Sequence, residues 1–271
     1  MQALAEPALP PLAVLGGDLL VTGRRRRWFA LGRPFVGVLL FVLAVRFELW
    51  WATPTIVFLI FIAVVTGTHD VVHSAVGLGR RQTEWALFLL GAVLFESGHA
   101  YRCSHLQHHH VFPGPDDPEG DPARMTLWGA VRYGPVMLPV LWWWAFRRNA
   151  SRPEQRGWLL LEALWPVVFA VLSTLAFRQT LALTLYLVLA VTGSWVYPLL
   201  TVYLPHHGYG PTPLTQTRTL RGWLIPHLFL ELTYHLEHHL YPSVPSHQLP
   251  ALSRRLEPLF REAGVQPIVV P

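Results

Sequence analysis

The chain has 271 residues, 52% hydrophobic and only 14% charged, with a mean hydropathy of +0.35; soluble domains carry about 25% charged residues, so this composition excludes an ordinary soluble globule and describes a membrane protein. The formal charge of +5 rests on 21 arginines with no lysine, which bears on membrane topology before nucleic acid. No basic-aromatic nucleic-acid motif is present, and the single Cys103 excludes an intramolecular disulfide or a multi-cysteine zinc site.

Residues 1–27 are expected to form an N-terminal arm, loose or interfacial over residues 1–23, that ends in the run Arg24 to Arg27. A membrane domain over residues 28–262 and a tail over residues 263–271 should follow. The first apolar span covers residues 28–45 and is interrupted by Arg33; the second covers residues 52–68, and Trp50 and Trp51 between them suit an interfacial belt. No cleavable signal is expected, because the run beginning at Phe35 ends in Arg46 and Glu48 without a small-residue cleavage pattern. Residues 84–102 are apolar but contain Glu84, Glu96 and His99, and the Trp-rich residues 133–148 are broken by Pro135 and Pro139. Both segments are read as helices lying in the interface. Residues 158–177 and 181–204 are each near the roughly 20 residues a spanning helix needs, and only Arg178, Gln179 and Thr180 separate them. So short a connector makes the pair an antiparallel hairpin.

The expected fold is therefore an all-α integral membrane protein, with four transmembrane helices in two hairpins, interfacial helices and a cytoplasmic histidine-rich cap able to hold two metals. If both hairpins share an orientation, their turns carry only Arg46 and Arg178. The other arginines, both termini and the histidines then lie on the cytoplasmic side.

The histidines form three clusters: His69 and His73 in "HDVVH", His105, His108 and His109 in "HLQHH", and His235, His238 and His239 in "HLEHH". Spacings of three and four residues place each set on one helical stripe. A single histidine near a membrane is more often an interface or core residue, and "HDVVH" is not the zinc-protease motif, since Asp70 replaces its glutamate. Two copies of H-x-x-H-H together with a spaced pair at a span end point instead to a shared metal site. Eight imidazoles exceed what one four-coordinate zinc requires, which argues for two metals. Neutral ligands need carboxylates nearby to orient their N–H groups; Asp70, Glu96, Glu231 and Glu237 are the candidates by proximity in sequence. His110, five residues beyond His105, should turn away from the stripe.

The order and spacing of these boxes, the two apolar pairs placed before the first box and between the second and third, and "YHLEHHLYPSVP" near the end resemble the membrane fatty acid desaturases, a superfamily of non-haem di-iron enzymes. The resemblance runs over about residues 35–260 and implies His69, His73, His105, His108, His109, His235, His238 and His239 as ligands of two irons that activate O2. It also implies one further ligand beyond the fourth span, for which "VYLPHHGYG" offers His206, with His207 as the lesser choice. No haem motif of a fused cytochrome b5 domain is present, so electrons are expected from a separate ferredoxin-like or cytochrome b5-like carrier. The acidic, proline-rich residues 115–122 resemble a stretch that follows the second box in the family, and are read as a solvated loop.

The resulting expectation is an O2-dependent desaturase of lipid or carrier-bound acyl chains. The alternative is a carotenoid β-ring hydroxylase, because "HLQHH", "YLPHH" and "HHLYPSVP" also resemble that group. A histidine-rich metal or proton transporter would need ionisable residues at mid-membrane depth. The boxes lie at span ends instead, with Glu162 the one obvious exception.

Overall fold

A computed structural model describes residues 8–271. Its long elements are α1 (Arg24–Arg46), α2 (Thr53–Val72), α3 (Arg80–Leu94), α4 (Gly98–Val111), α5 (Leu127–Arg148), α6 (Pro153–Ala176) and α7 (Ala182–Ser194). Two shorter helices close the chain, α8 (His235–Leu240) and α9 (Leu249–Glu262). Four helical stretches are long and apolar enough to cross a membrane: Arg24–Arg46, Trp50–Val72, Pro153–Ala176 and Ala182–His206. They coincide with the four spans expected from the sequence.

These four are not equivalent. The most apolar stretch of α2 is 78% buried inside the protein, against 22% for α1 and 17% for α6. α2 is thus the central helix, packed by α1, α3 and α7, and Val57, Ile60, Phe61 and Val64 form the middle of the largest apolar core. Gly37 allows the approach of α1, since a Cβ there would lie 2.4 Å from Ile60 Cγ1; small residues let helix backbones close together in this way. α6 packs on α7, and its outer face, with Leu164, Val167 and Leu175 exposed, is apolar.

The segment expected as a single interfacial helix over residues 84–102 is two helices. Phe95 adopts a left-handed conformation, φ 62°, and its N–H is donated to Gly91 O, which ends α3. Ser97 then accepts a hydrogen bond from Ala100 N at 3.0 Å and starts α4, an N-cap arrangement that satisfies one of the helix's free donors. α5, by contrast, runs unbroken through Pro135 and Pro139.

Within the arm expected to be loose or interfacial, residues 8–23 pack on α9. Leu15 and Leu19 are buried against Leu252, Leu256 and Phe260 of α9, and the Asp18 carboxylate accepts from Arg255 at 2.6 and 2.8 Å. Two buried leucines contribute about 1.5–3 kcal/mol each, enough to hold a short segment in place. Residues 1–7 lie outside the described residues. At the other end, the tail pairs as β2 (Ile268–Val269) in parallel with β1 (Leu220–Arg221), Leu220 facing Ile268.

Candidate metal centre

Four elements bring their imidazoles to one place at the end of α2. His69 lies in the last turn of α2 and His73 caps it; α4 supplies His105, His108 and His109; the turn Leu204–His206 supplies His206; and α8 supplies His235, His238 and His239. The three-and-four spacing within α4 and α8 turns each set toward the other. His69 Nε2 lies 2.9 Å from His238 Nε2, which is 2.8 Å from His109 Nε2, itself 3.2 Å from His105 Nε2. The His73 ring is 4.8 to 5.1 Å from those of His109, His238, His69 and His105. On the other side, His235 Nε2 is 3.0 Å from His206 Nε2 and 3.2 Å from His239 Nε2, and the His108 ring faces both His206 and His239.

The nitrogens fall into two groups, each compact enough for one ion: His69, His73, His105 and His238, and His108, His206 and His239. His109 adjoins the first group and His235 the second. Separations of 2.8–3.2 Å between facing nitrogens approach the roughly 3.0–3.4 Å edge that ligands at ~2.1 Å from a metal would make. His110 is exposed and His207 points outward, its Nδ1 donating to Ala123 O at 2.9 Å, so neither joins the cluster.

Burial and the neighbouring imidazoles push His73 down to about 2. His105, His235, His238 and His239 are held well below the ordinary histidine value by the same causes, burial first. A buried imidazole kept neutral has a lone pair to give, as metal ligation requires. His73 Nε2 is moreover buried without a hydrogen-bond partner among the described residues. A buried nitrogen left orphaned within a ring of imidazoles fits a bound cation, and the all-imidazole donor set suits iron, copper, nickel or zinc.

The outer nitrogens are held by groups that sequence proximity did not single out. His108 Nδ1 donates to Asp117 Oδ2 at 2.8 Å, and His105 Nδ1 to Glu119 Oε2 at 3.1 Å. Ser104 donates to the other Glu119 oxygen at 2.6 Å, and His206 Nδ1 donates to Gln216 O at 3.1 Å. Residues 115–122 were expected to be a solvated loop; instead the Asp117 and Glu119 side chains are buried, and burial pushes Glu119 up to about 7. The one available signal was an acidic pair directly after the second box.

Of the four carboxylates expected to orient imidazoles, none accepts a hydrogen bond from one of the clustered rings. Asp70 Oδ1 accepts from Ser246 N and Oγ at 3.0 and 2.6 Å and stays 3.6 Å from His69 Nδ1. Glu96 accepts from Ser194 and Glu237 from Ser253, while Glu231 faces His227 at 3.7 Å. The reason is direction: Glu237, between His235 and His238 on α8, points to the opposite side of its helix, toward α9.

Among known families, Fatty acid desaturase matches residues 48–269, most of the chain. The chain belongs to the fatty acid desaturase family. It is similar to the dihydrorhizobitoxine desaturase of Bradyrhizobium elkanii, 27% identical over 244 residues, a match that covers 72% of this chain and 65% of that relative. This chain thus spans a little under two thirds of the length of the curated relative it matches. The family carries a desaturase-type oxidoreductase function, and the four apolar helices agree with a membrane protein.

Beside the imidazoles this chain has a largely apolar cavity of about 270 Å³. His69, His105, His108 and His235 form one wall, and Phe61, Val65, Leu200 and Phe229 face them. Tyr101, stacked on the His105 ring at 4.7 Å, also lines it.

Proposed function

We propose that the chain is a multi-pass membrane desaturase that uses two non-haem irons and O2 to introduce a carbon–carbon double bond into an acyl chain. The observation that carries this reading is a double cluster of imidazoles, mostly buried, that lines a largely apolar cavity. His69, His73, His105, His109 and His238 would hold one metal, and His108, His206, His235 and His239 the other. When bound, the irons would supply the oxidation: one O2 takes two hydrogens from adjacent substrate carbons, two electrons from a separate carrier and two protons, giving the alkene and two waters.

The protein's own residues have three tasks. Asp117 and Glu119 fix the orientation of His108 and His105, so that each presents its Nε2 lone pair inward. Phe61, Val65 and Phe229 exclude water from the reacting carbons. The narrow apolar wall holds one stretch of chain against the imidazoles, which decides which carbons react. α1 with α2 and α6 with α7 form the two hairpins, α3 and α5 lie along the interface, and the arginine-rich ends and the histidine boxes face the cytoplasm, where a ferredoxin-like or cytochrome b5-like donor reaches them.

The relative's name is that of a desaturase, which favours double-bond formation over ring hydroxylation. The deciding experiment expresses the chain in a host that makes both membrane lipids and β-carotene, then analyses both pools by mass spectrometry. A new acyl double bond, with about two irons per purified chain, is the expected result. Oxygenated carotenoid without a new double bond, or protein that holds zinc and shows no iron-dependent activity, would overturn it.

A further inference from the structure

A second cavity, of about 300 Å³, lies on the other side of Tyr101 and Tyr197, and these two residues with Val65 line both spaces. Each is at or below the low end of the ~300–1,000 Å³ usual for a small-molecule site, so neither alone would enclose a long chain, and a substrate held in both would have to pass between Tyr101 and Tyr197. The walls of the second cavity are mostly apolar, with Leu138, Leu141 and Trp142 among them. Its polar end is unusual for acyl binding: it carries the carboxylates Glu96 and Glu162, and among the described residues no arginine or histidine lines it.

The two carboxylates differ in what they still lack. Glu162 is occupied, accepting from Ser97 Oγ and from His99 at both Nδ1, 2.7 Å, and the backbone N, 3.3 Å. Glu96 accepts from Ser194 Oγ at 2.5 Å on one oxygen. Its second oxygen receives no hydrogen bond among the described residues. The local fold puts it there: the left-handed Phe95 breaks the chain between α3 and α4 and turns Glu96 toward the cavity. Such conformations cost free energy in a bulky residue and are retained where the surroundings over-determine them. Thr68 is an independent sign. Thr66, two residues earlier on α2, returns its hydroxyl to Ile62 O at 2.8 Å, as helical threonines do. The Thr68 hydroxyl, also beside this cavity, is buried with no partner. Buried polar groups left without partners mark a place where something else supplies the hydrogen bond.

We propose that the second cavity receives one end of the substrate, and that Glu96 there recognises a hydrogen-bond donor, an alcohol or amine, in preference to a free carboxylate. This assignment rests on the desaturase reading above and names the substrate class of the same site. A carboxylate end group would face Glu96, which among the described residues has no cation beside it, whereas Glu162 already accepts from His99. An alcohol or ammonium donates to the free Glu96 oxygen, and Thr68, whose hydroxyl has no partner, lines the same cavity. Burial pushes Glu96 up to about 7, so the discrimination is fullest above neutrality, where its carboxylate is ionised.

The test is direct binding, which needs no turnover. Full-length protein in lipid nanodiscs is titrated with dodecanol, dodecylamine and dodecanoate, with the fluorescence of Trp142 in the cavity wall as part of the signal. Wild type is expected to bind the alcohol and the amine on the order of ten- to a hundredfold tighter than the carboxylate. Glu96→Leu should erase that preference, and Glu96→Gln should keep alcohol binding while losing the advantage of the amine. Equal or tighter binding of the carboxylate by wild type, or a preference that survives Glu96→Leu, overturns the assignment. If Glu96→Leu does not fold, Glu96→Gln and Thr68→Val decide, and unchanged alcohol and amine affinities in both overturn it; so does binding of none of the three, which would leave a water-filled cavity. Glu96-dependent binding without any desaturation would remove only the proposed function. Acyl desaturation whose KM and binding ignore Glu96→Leu would remove only this inference.

Discussion

Replacing Asp117 by alanine should weaken one metal position and spare the other. Asp117 is buried, accepts from His108 Nδ1 at 2.8 Å on one oxygen, and accepts from Glu119 N at 2.9 Å on the other. Loss of such a partner typically lowers metal affinity by about 10- to 100-fold, or roughly 1.4–2.7 kcal/mol. His108 belongs with His206 and His239, not with the group around His73, so the loss should fall on a single ion. The assay is titration of metal-free protein with ferrous or cobaltous ion, together with metal analysis of the purified protein. Wild type should take up two ions with comparable affinity, and Asp117→Ala one tightly and one weakly. Glu119→Gln, whose partner is His105, should show the converse pattern. Two full-strength sites in Asp117→Ala, or equal weakening of both, would refute the division of the imidazoles into two groups.

Other outcomes are equally specific. His109→Ala should lose iron and turnover, because its Nε2 lies within 2.8 Å of His238, while the exposed His110→Ala should retain both; comparable iron loss in the two would contradict the geometry. Gly134→Ala should lower the melting temperature sharply, since a Cβ there would lie 2.2 Å from Trp195 O and overpacking costs about 1–3 kcal/mol; an unchanged melt would show that α5 can shift. Metal-free protein should lose stability on acidification. His73 is held at about 2 in the folded chain, against about 6.5 unfolded; the unfolded chain therefore binds more protons below pH 6.5, and stability that is full above that pH falls as pH drops. Denaturant midpoints across pH 7.5 to 4.5 check the sign, and a midpoint that rises on acidification would contradict it.

The four apolar spans and the three histidine boxes were legible because each is a local pattern: hydropathy over some twenty residues, and ligands spaced by three or four. What escaped depends on where the chain turns. Residues 115–122 show only proline, glycine and acid, the signature of a loop; that Asp117 and Glu119 reach back to His108 and His105 follows from the reversal after α4, which no local periodicity encodes. Glu237 is flanked by His235 and His238 yet points away from both partners' neighbours, toward Ser253. Proximity in sequence ranked it above Asp117, whereas helical direction ranks it below. Similarly, residues 84–102 read as one apolar helix with Glu84, Glu96 and His99 on a polar face, and that pattern does not distinguish a polar face from the left-handed turn at Phe95.

The central position of α2 has a mechanical consequence. Bilayers differ in thickness, and spanning helices accommodate a mismatch by tilting. In this protein that load would fall on α1 and α6, whose surfaces face outward, while α2, equally apolar by sequence, is gripped along most of its length by other helices. His69 and His73 sit at the end of this shielded strut. The spacing of the metal ligands should therefore be insulated from the lipid around it, so that a change of membrane thickness alters the approach of substrate before it alters the centre itself.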